Sequence, residues 1–201
     1  MSTRLASRGL TYGVLGLLTI VLLYPLWFMA RTSFESIDQF QAGGGFSLVS
    51  WHGLFAQLPV WRELFNSTLI SVSAVAIILV ASTMAGYAFG ILRYRASTVV
   101  FLLVVGAMLV PMPSIIVPEF INLADWGRIN HYDAAIVVYA ALGAPFSTFL
   151  MTTYMRRLPY DVIEAALMDG LGYGRIFVRI ILPLARPAMV TIAVLQFIQI
   201  W

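Results

Sequence analysis

Very few side chains in this sequence are of the types that carry out covalent or metal chemistry. There is no cysteine and no lysine, and the two histidines, His52 and His131, fall in separate polar loops without ligand-spaced neighbours. We therefore predict no disulfide, no thiolate nucleophile and no metal site. The usual Gly-x-x-x-x-Gly-Lys-Ser/Thr phosphate cradle needs a lysine, so this chain cannot build it for ATP. We expect no catalytic residue and no cofactor bound by this chain.

The polar side chains within the apolar stretches are amides, hydroxyls and phenols, which suit hydrogen bonding to a neutral solute. Gln196 and Gln199 lie three residues apart and share one face of a helix, while Tyr87 lies in an earlier stretch. The simpler interpretation of the glutamines is hydrogen bonding to a neighbouring membrane helix. The alternative hypothesis is that Gln196, Gln199 and Tyr87 line a substrate path. These stretches contain no ionisable acid or base, which argues against an ion-coupled pump.

The apolar stretches that position these groups are long enough to cross a membrane. The sequence is 61% hydrophobic and only 10% charged, and a membrane span needs about 20 mostly apolar residues. A fifth apolar run, Pro187 to Trp201, would form only about 22 Å of helix. We therefore expect an all-α polytopic membrane protein, a single transmembrane domain over residues 1–201, truncated within its fifth helix. The four complete spans are predicted at approximately Leu10–Ala30, Asn66–Leu92, Thr98–Val117 and Ala134–Met155.

The distribution of arginine predicts the orientation. Loops on the cytoplasmic side of a membrane carry an excess of basic residues. With the N-terminus inside, only Arg31, Arg62 and Arg128 lie outside, and nine of the twelve basic residues lie inside. We predict a cytoplasmic N-terminus and a first helix that is retained as an anchor. The inner arginines are Arg4, Arg8, Arg93, Arg95, Arg156, Arg157, Arg175, Arg179 and Arg186.

The segment between the first two spans is predicted to lie outside the membrane. Its glycines, Gly43 to Gly45, indicate a flexible stretch. Its aromatic residues suit the membrane interface, where they would anchor the loop.

The most informative stretch runs from Leu158 to Pro187. Pro159 suits the first turn of a short helix, and Gly170, Gly172 and Gly174 are expected to interrupt it. From Arg175 the pattern predicts a basic amphipathic helix at the membrane surface, ended by Pro183 and Pro187. A short helix presented in this way suits insertion into a groove on another protein.

This stretch resembles the EAA loop of ATP-binding-cassette importer permeases. The residues that carry the resemblance are Glu164-Ala165-Ala166, Gly170 six positions after the glutamate, Ile180 ten positions after Gly170, and Leu182-Pro183. The resemblance implies that residues 158–187 form the cytoplasmic coupling loop. It also implies that the surface docking on the ATPase subunit consists of Glu164, Ala165, Ala166, Asp169 and Gly170, with the return to the membrane supported by Ile180, Leu182 and Pro183.

The resemblance covers nearly the whole chain and is to carbohydrate permeases of the maltose-importer type, in particular the shorter, six-helix partner. It implies a complex with a second permease subunit, two ATP-binding-cassette ATPase subunits that carry ATP and Mg, and an external solute-binding protein. It also implies a location in the lipid of a bacterial or archaeal cytoplasmic (inner) membrane, without nucleic acid. The matching residues are Tyr24-Pro25-Leu26-Trp27, Ser33-Phe34, Asn66-Ser67, Gly86-Tyr87-Ala88 with Arg93, Pro111 through Pro118, and Pro145-Phe146.

The expected function is import of a sugar or oligosaccharide by alternating access. Permeases for amino acids, polyamines or inorganic anions also carry EAA loops, so a non-sugar cargo stays open as the alternative. A membrane-embedded enzyme would need paired carboxylates or an activated nucleophile within the spans, which the sequence lacks. A purely structural scaffold would not require an EAA loop with this spacing.

Overall fold

The computed structural model describes the backbone of residues 2–92 and 94–201 and the side chains of residues 10–92 and 94–201. The side chains of Arg4 and Arg8, and all of Arg93, which entered the orientation argument, lie outside this described part. The described chain is helical and contains no strand, which confirms the all-α prediction. It divides into two separately packed units, Met1–Leu64 and Phe65–Trp201.

The helices alternate long spanning segments with short ones. Helix α4 continues into a π-helical segment, Ala88–Leu92; α5 ends in a 3₁₀ turn, Ala107–Leu109; and a second π-helical segment, Phe177–Ile181, joins α9 to α10. The α-helices are α1 (Ser2–Thr32), α2 (Ile37–Gln41), α3 (Val49–Gln57), α4 (Val60–Tyr87), α5 (Ser97–Gly106), α6 (Met112–Asp125), α7 (Tyr132–Met155), α8 (Tyr160–Met168), α9 (Tyr173–Ile176), α10 (Leu182–Leu184) and α11 (Arg186–Ile200).

In the part of the chain that the structure describes, three helical stretches are long and apolar enough to cross a membrane alone. They are Leu10–Thr32, Val60–Leu92 and Tyr132–Met155, and they match the first, second and fourth predicted spans. Two further helix pairs pass the same test only together, each bent at a break. Length and composition therefore allow up to five spans, in line with the five predicted helices.

The third predicted span, Thr98–Val117, is wrong as a continuous helix. The chain turns by 94° between Leu109 and Met112, so that α5 and α6 are separate segments. Val110 and Pro111 both adopt extended backbone conformations, with ψ of 116° and 133°. The cause is local, because a residue that precedes proline is sterically pushed out of the helical region.

The first unit holds more order than the glycine-rich sequence indicated. Ser36 and Gln39 form a reciprocal capping box at the start of α2. The side chain of Glu35 is only 4% exposed and forms an ion pair with Arg31, with Nε and Oε1 3.3 Å apart. Ser50 at the start of α3 donates a hydrogen bond to the carbonyl oxygen of Glu35. These contacts order the loop around a buried carboxylate that the sequence analysis missed.

In the second unit, α4 and α7 pack closely through small residues. A Cβ atom added at Gly86 would lie 2.5 Å from Met151 Cγ, and one added at Gly90 would lie 3.1 Å from Met155 Cβ. Ser82, also buried, lies one turn before Gly86 on the same face of α4. Small residues at this spacing let two membrane helices approach closely, where packing replaces the hydrophobic driving force that operates in water. The two helices thus meet closely at Gly86 and Gly90 within the second unit.

Candidate functional site

The first half of the EAA loop is α8, whose C-terminus has a well-defined cap. Gly170 has a φ of 79°, the left-handed conformation that glycine adopts without steric cost. Its N–H donates to the carbonyl of Leu167, and the N–H of Leu171 donates to that of Ala166, both at 3.0 Å. These two bonds define a Schellman motif, which satisfies carbonyls left free at the end of the helix. The expected interruption at Gly170 is therefore a stop at a fixed position.

Helix α8 has one exposed face and one buried face. Of the residues expected to dock on an ATPase, Glu164, Ala165, Asp169 and Gly170 are exposed. Ala166, by contrast, is only 5% exposed and packs inward, so its side chain supports α8 rather than contributing to the exposed face.

The buried face of α8 joins the hydrophobic core of the second unit. Ile163 and Ala166 belong to the same cluster of buried residues as Ile176 and Ile181 from the second half of the loop and Met155 from the end of α7. Ile163, Ile176, Ile181 and Met155 are each no more than 1% exposed. The loop is thus fixed to the spanning helices by continuous apolar packing.

The second half of the loop departs from the prediction at one point. The helix resumes at Tyr173 and includes Gly174, which was expected to interrupt it. Gly172 takes the extended N-cap conformation instead, and its carbonyl accepts the N–H groups of Arg175 and Ile176. A glycine beyond the cap costs some helix propensity but does not stop a helix that tertiary packing stabilises.

Residues expected to support the return to the membrane lie along this second helical stretch. Ile180 and Leu182 are partly buried, whereas Pro183 is exposed. The chain then bends by 67° between Leu184 and Arg186 and enters α11. The break therefore falls between Pro183 and Pro187, as the two prolines indicated.

Two tyrosine hydroxyls connect the spanning helices to this stretch. Tyr87, the last residue of α4, donates to the carbonyl oxygen of Tyr173 at 2.9 Å. Tyr154, near the end of α7, donates to the carbonyl oxygen of Leu184 at 3.0 Å. The ring of Tyr87 also packs on Phe177, with ring centroids 5.0 Å apart. Tyr154 was not singled out from sequence, and neither was the packing of Phe177 on Tyr87. For the tyrosines, the available signal was that a phenol hydroxyl generally needs a hydrogen-bond partner where water is excluded.

The three residues proposed for a substrate path lie in three different environments. Tyr87 is 7% exposed and packs against the EAA loop. Gln196 is 2% exposed, and its side-chain oxygen lies only 2.6 Å from where a Cβ on Gly143 of α7 would be, so it fills the contact between α11 and α7. Gln199 is exposed and lines a cavity. Only Gln199 is placed where a solute could reach it.

The cavity beside Gln199 has a volume of about 550 Å³. It lies against the broken third segment, with Val110 at the break and Phe146 of α7 among its lining residues. Irregular backbone at membrane depth is tolerated where it is buried in protein or lines a cavity. The cavity thus combines an amide, an aromatic ring and a stretch of non-helical backbone. Among the described residues, no group of three or more His, Asp or Glu side chains is arranged to hold a metal ion.

The sequence is similar to a known family of transport proteins and to individual permease proteins. Residues 77–201 match the family described as binding-protein-dependent transport system inner membrane component. The diacetylchitobiose uptake system permease protein of Streptomyces coelicolor is 26% identical over 198 residues, covering 96% of this chain and 66% of that protein. The maltodextrin transport system permease protein of Bacillus subtilis is 28% identical over 202 residues, covering 98% and 72%.

A solved structure shares the fold. The crystal structure of a bacterial ABC transporter involved in the import of the acidic polysaccharide alginate contains a chain that matches with a TM-score of 0.81 and 24% identity. The match covers 100% of this chain and 72% of that one. The chain thus spans about two thirds of the length of these relatives.

Proposed function

We propose that this chain, which belongs to the family of binding-protein-dependent transport system inner membrane components, is a permease subunit of an ATP-driven importer for a sugar or oligosaccharide. It is a multi-pass membrane protein by family and by its apolar helices. Relatives over nearly its full length are named as permease proteins for diacetylchitobiose uptake and maltodextrin transport. These names support a carbohydrate as the cargo here.

The observation that carries the proposal is the two-sided packing of α8. Its buried face is fixed to the spanning helices, while Glu164, Ala165, Asp169 and Gly170 remain exposed. Such a surface, rigid on one side and uncovered on the other, suits docking to a separate protein that exerts force on it. Glu164 and Asp169 would favour a basic groove, because complementary charge directs association and register.

The partner that docks there is proposed to be an ATP-binding-cassette subunit, one of two, beside a second permease and an external solute-binding protein. The chain contains no lysine for a phosphate cradle. ATP and Mg would therefore be held by the ATPase subunits, and their closure would move α8 and the helices behind it. Counted with the bent pair α5–α6 as one span, four spans precede this loop. A cytoplasmic loop then gives a cytoplasmic N-terminus, with nine of the twelve arginines inside.

The proposed contact with cargo is the cavity beside Gln199. A sugar presents hydroxyl groups to amides and apolar ring faces to aromatic side chains, and Gln199 and Phe146 line the same cavity. Gln196 is assigned instead to the contact between α11 and α7, where its side chain packs at Gly143. Tyr87, packed against the loop, is not assigned to the path.

Uptake into proteoliposomes tests the proposal. The complex that co-purifies with the full-length protein would be reconstituted with its binding protein and ATP, and offered labelled chito- and malto-oligosaccharides, amino acids, polyamines and phosphate. ATP-dependent accumulation of a saccharide alone is expected. Accumulation of an amino acid, polyamine or anion would show that the cargo is the non-sugar alternative. Absence of any co-purifying ATPase would overturn the assignment as an importer subunit.

Gln199→Ala tests the cargo contact within the same assay. Loss of one hydrogen bond to a neutral hydroxyl corresponds to about 1 kcal/mol, or roughly a fivefold loss of apparent affinity. The matched control is Asn122→Ala, an exposed amide on α6 outside that cavity, for which affinity should not change. Equal affinities for the Gln199→Ala and wild-type complexes would remove Gln199 from the path.

A further inference from the structure

We infer that Tyr87 and Tyr154 are positioning residues that clamp the second half of the EAA loop between α4 and α7, so that the loop and both helices move as one body. The inference rests on the proposed function, since it concerns how motion of the loop reaches the spans. The clamp consists of two hydrogen bonds and one ring contact, described above, and its target is the segment Tyr173–Leu184.

The two hydroxyls hold opposite ends of this segment. Tyr87 binds the carbonyl of Tyr173, the first residue of α9, and Tyr154 binds the carbonyl of Leu184, the last residue of α10. The Leu184 carbonyl lies at the C-terminal end of the segment, where carbonyls lose their intrahelical partners. The Tyr173 carbonyl already accepts the N–H of Phe177 within the helix, so the Tyr87 hydroxyl adds a second bond to it. A hydrogen bond at each end therefore restrains the positions at which the segment would otherwise bend away.

The contact at Tyr87 also joins two irregular points in the helices. Tyr87 directly precedes the π-helical segment Ala88–Leu92, and Phe177, on which its ring packs, begins the π-helical segment Phe177–Ile181. A π-helical turn interrupts the regular hydrogen-bond ladder, and such turns occur frequently at functional sites. Without a packing partner, each π-helical segment would be a place where its helix can bend. Packed against each other through two aromatic rings, they are held in one arrangement.

The clamp lies directly behind the surface that α8 exposes. Ile176 and Ile181, within the clamped segment, share the buried cluster with Ile163 of α8 and with Tyr87 itself. A displacement of α8 must therefore push against the clamped segment. With the hydroxyls in place this displacement moves α4 and α7; without them, part of it is absorbed by bending at the two ends of the segment.

Amide hydrogen exchange on the intact complex tests the restraint. Tyr87→Phe and Tyr154→Phe keep the rings and remove the hydroxyls, and each is expected to speed exchange of amides within residues 173–184 about fivefold, the equivalent of one hydrogen bond. Tyr94→Phe is the control, because among the described residues no hydrogen bond is made by that exposed hydroxyl. Exchange in both variants within twofold of the control would overturn the clamp.

The ratio of ATP hydrolysed to sugar imported tests the functional part. In the double variant Tyr87→Phe/Tyr154→Phe, the ATPase subunits should co-purify at the wild-type ratio, while ATP hydrolysed per saccharide moved rises at least threefold. A structural defect alone would lower both rates together. An unchanged ratio of ATP hydrolysed to saccharide moved would overturn the role of the clamp in coupling. If ATP hydrolysis by the wild-type complex does not depend on sugar, the proposed function is refuted. The hydrogen-exchange measurement still tests the clamp in that case.

Discussion

Replacing Gly86 by alanine tests whether α4 and α7 meet at the distance seen here. The added Cβ would lie 2.5 Å from Cγ, 3.0 Å from Cβ and 3.2 Å from the backbone carbon of Met151. Rotation of the Met151 side chain relieves only the first contact, so the helices must also separate slightly. Overpacking of this kind costs about 1–3 kcal/mol. Alanine regains about 1 kcal/mol of helix propensity, so the expected net loss is about 1 kcal/mol.

The matched control is Gly106→Ala near the end of α5. Gly106 also has helical φ and ψ, −58° and −28°, and an added Cβ there would meet no atom within 4 Å. Only the propensity gain applies, so this variant should be as stable as the wild type or slightly more stable. Equilibrium unfolding in mixed micelles, followed by the loss of helical circular dichroism, measures both. Equal stability of the two variants would refute the close approach of α4 and α7.

The remaining predictions concern the helix cap of the coupling loop and the buried carboxylate. Gly170→Ala should loosen the end of α8 by about 1–2 kcal/mol, the cost of a left-handed conformation for an L-residue, seen as faster amide exchange over residues 166–171. Gly174 is helical, and a Cβ added there would meet no atom within 4 Å, so Gly174→Ala should slow amide exchange or leave it unchanged. Equal acceleration of exchange in Gly170→Ala and Gly174→Ala would exclude the Schellman cap as the cause. Arg31→Ala should destabilise the loop of the first unit by about 1–2 kcal/mol, because it leaves Glu35 buried without its counter-ion. The loss stays below that of a fully buried ion pair, since half of the Arg31 side chain is solvated. Limited proteolysis of that loop should accelerate in Arg31→Ala and not in Arg62→Ala; equal rates would show that the ion pair contributes nothing.

Hydropathy alone predicted most of the spans, because a membrane helix must be predominantly apolar over about 20 residues and is recognised by length rather than by periodicity. The first, second and fourth stretches correspond to single helices. The third failed because the apolar run continues through Val110 and Pro111, where the backbone leaves the helical region while the composition does not change. The proline itself was the available signal.

The EAA pattern located α8 and its stop at Gly170, since both depend on local residue types. The positions of the tyrosine hydroxyls could not be predicted in the same way. Their acceptors are backbone carbonyls 86 and 30 residues away along the chain. Every residue offers such a carbonyl, so no pattern of residue types distinguishes the one that is used.

The two glutamines show the same limit. Residues three apart on a helix are separated by about 60° around its axis, which is close enough to predict a shared face. The same angle is also large enough for Gln196 to contact Gly143 of α7 while Gln199 lines a cavity. Which neighbour occupies each direction depends on helix packing, and the sequence of α11 does not contain that information.

The most direct measurement for the central claim compares Glu164→Lys with Asp125→Lys in the full complex. Both reverse an exposed acidic charge, one on α8 and one at the end of α6. Co-purification of the ATPase subunits and ATP-dependent uptake would be measured for each. If α8 is the docking helix, Glu164→Lys loses at least tenfold in both measurements and Asp125→Lys retains both; wild-type association and uptake in Glu164→Lys would contradict the account.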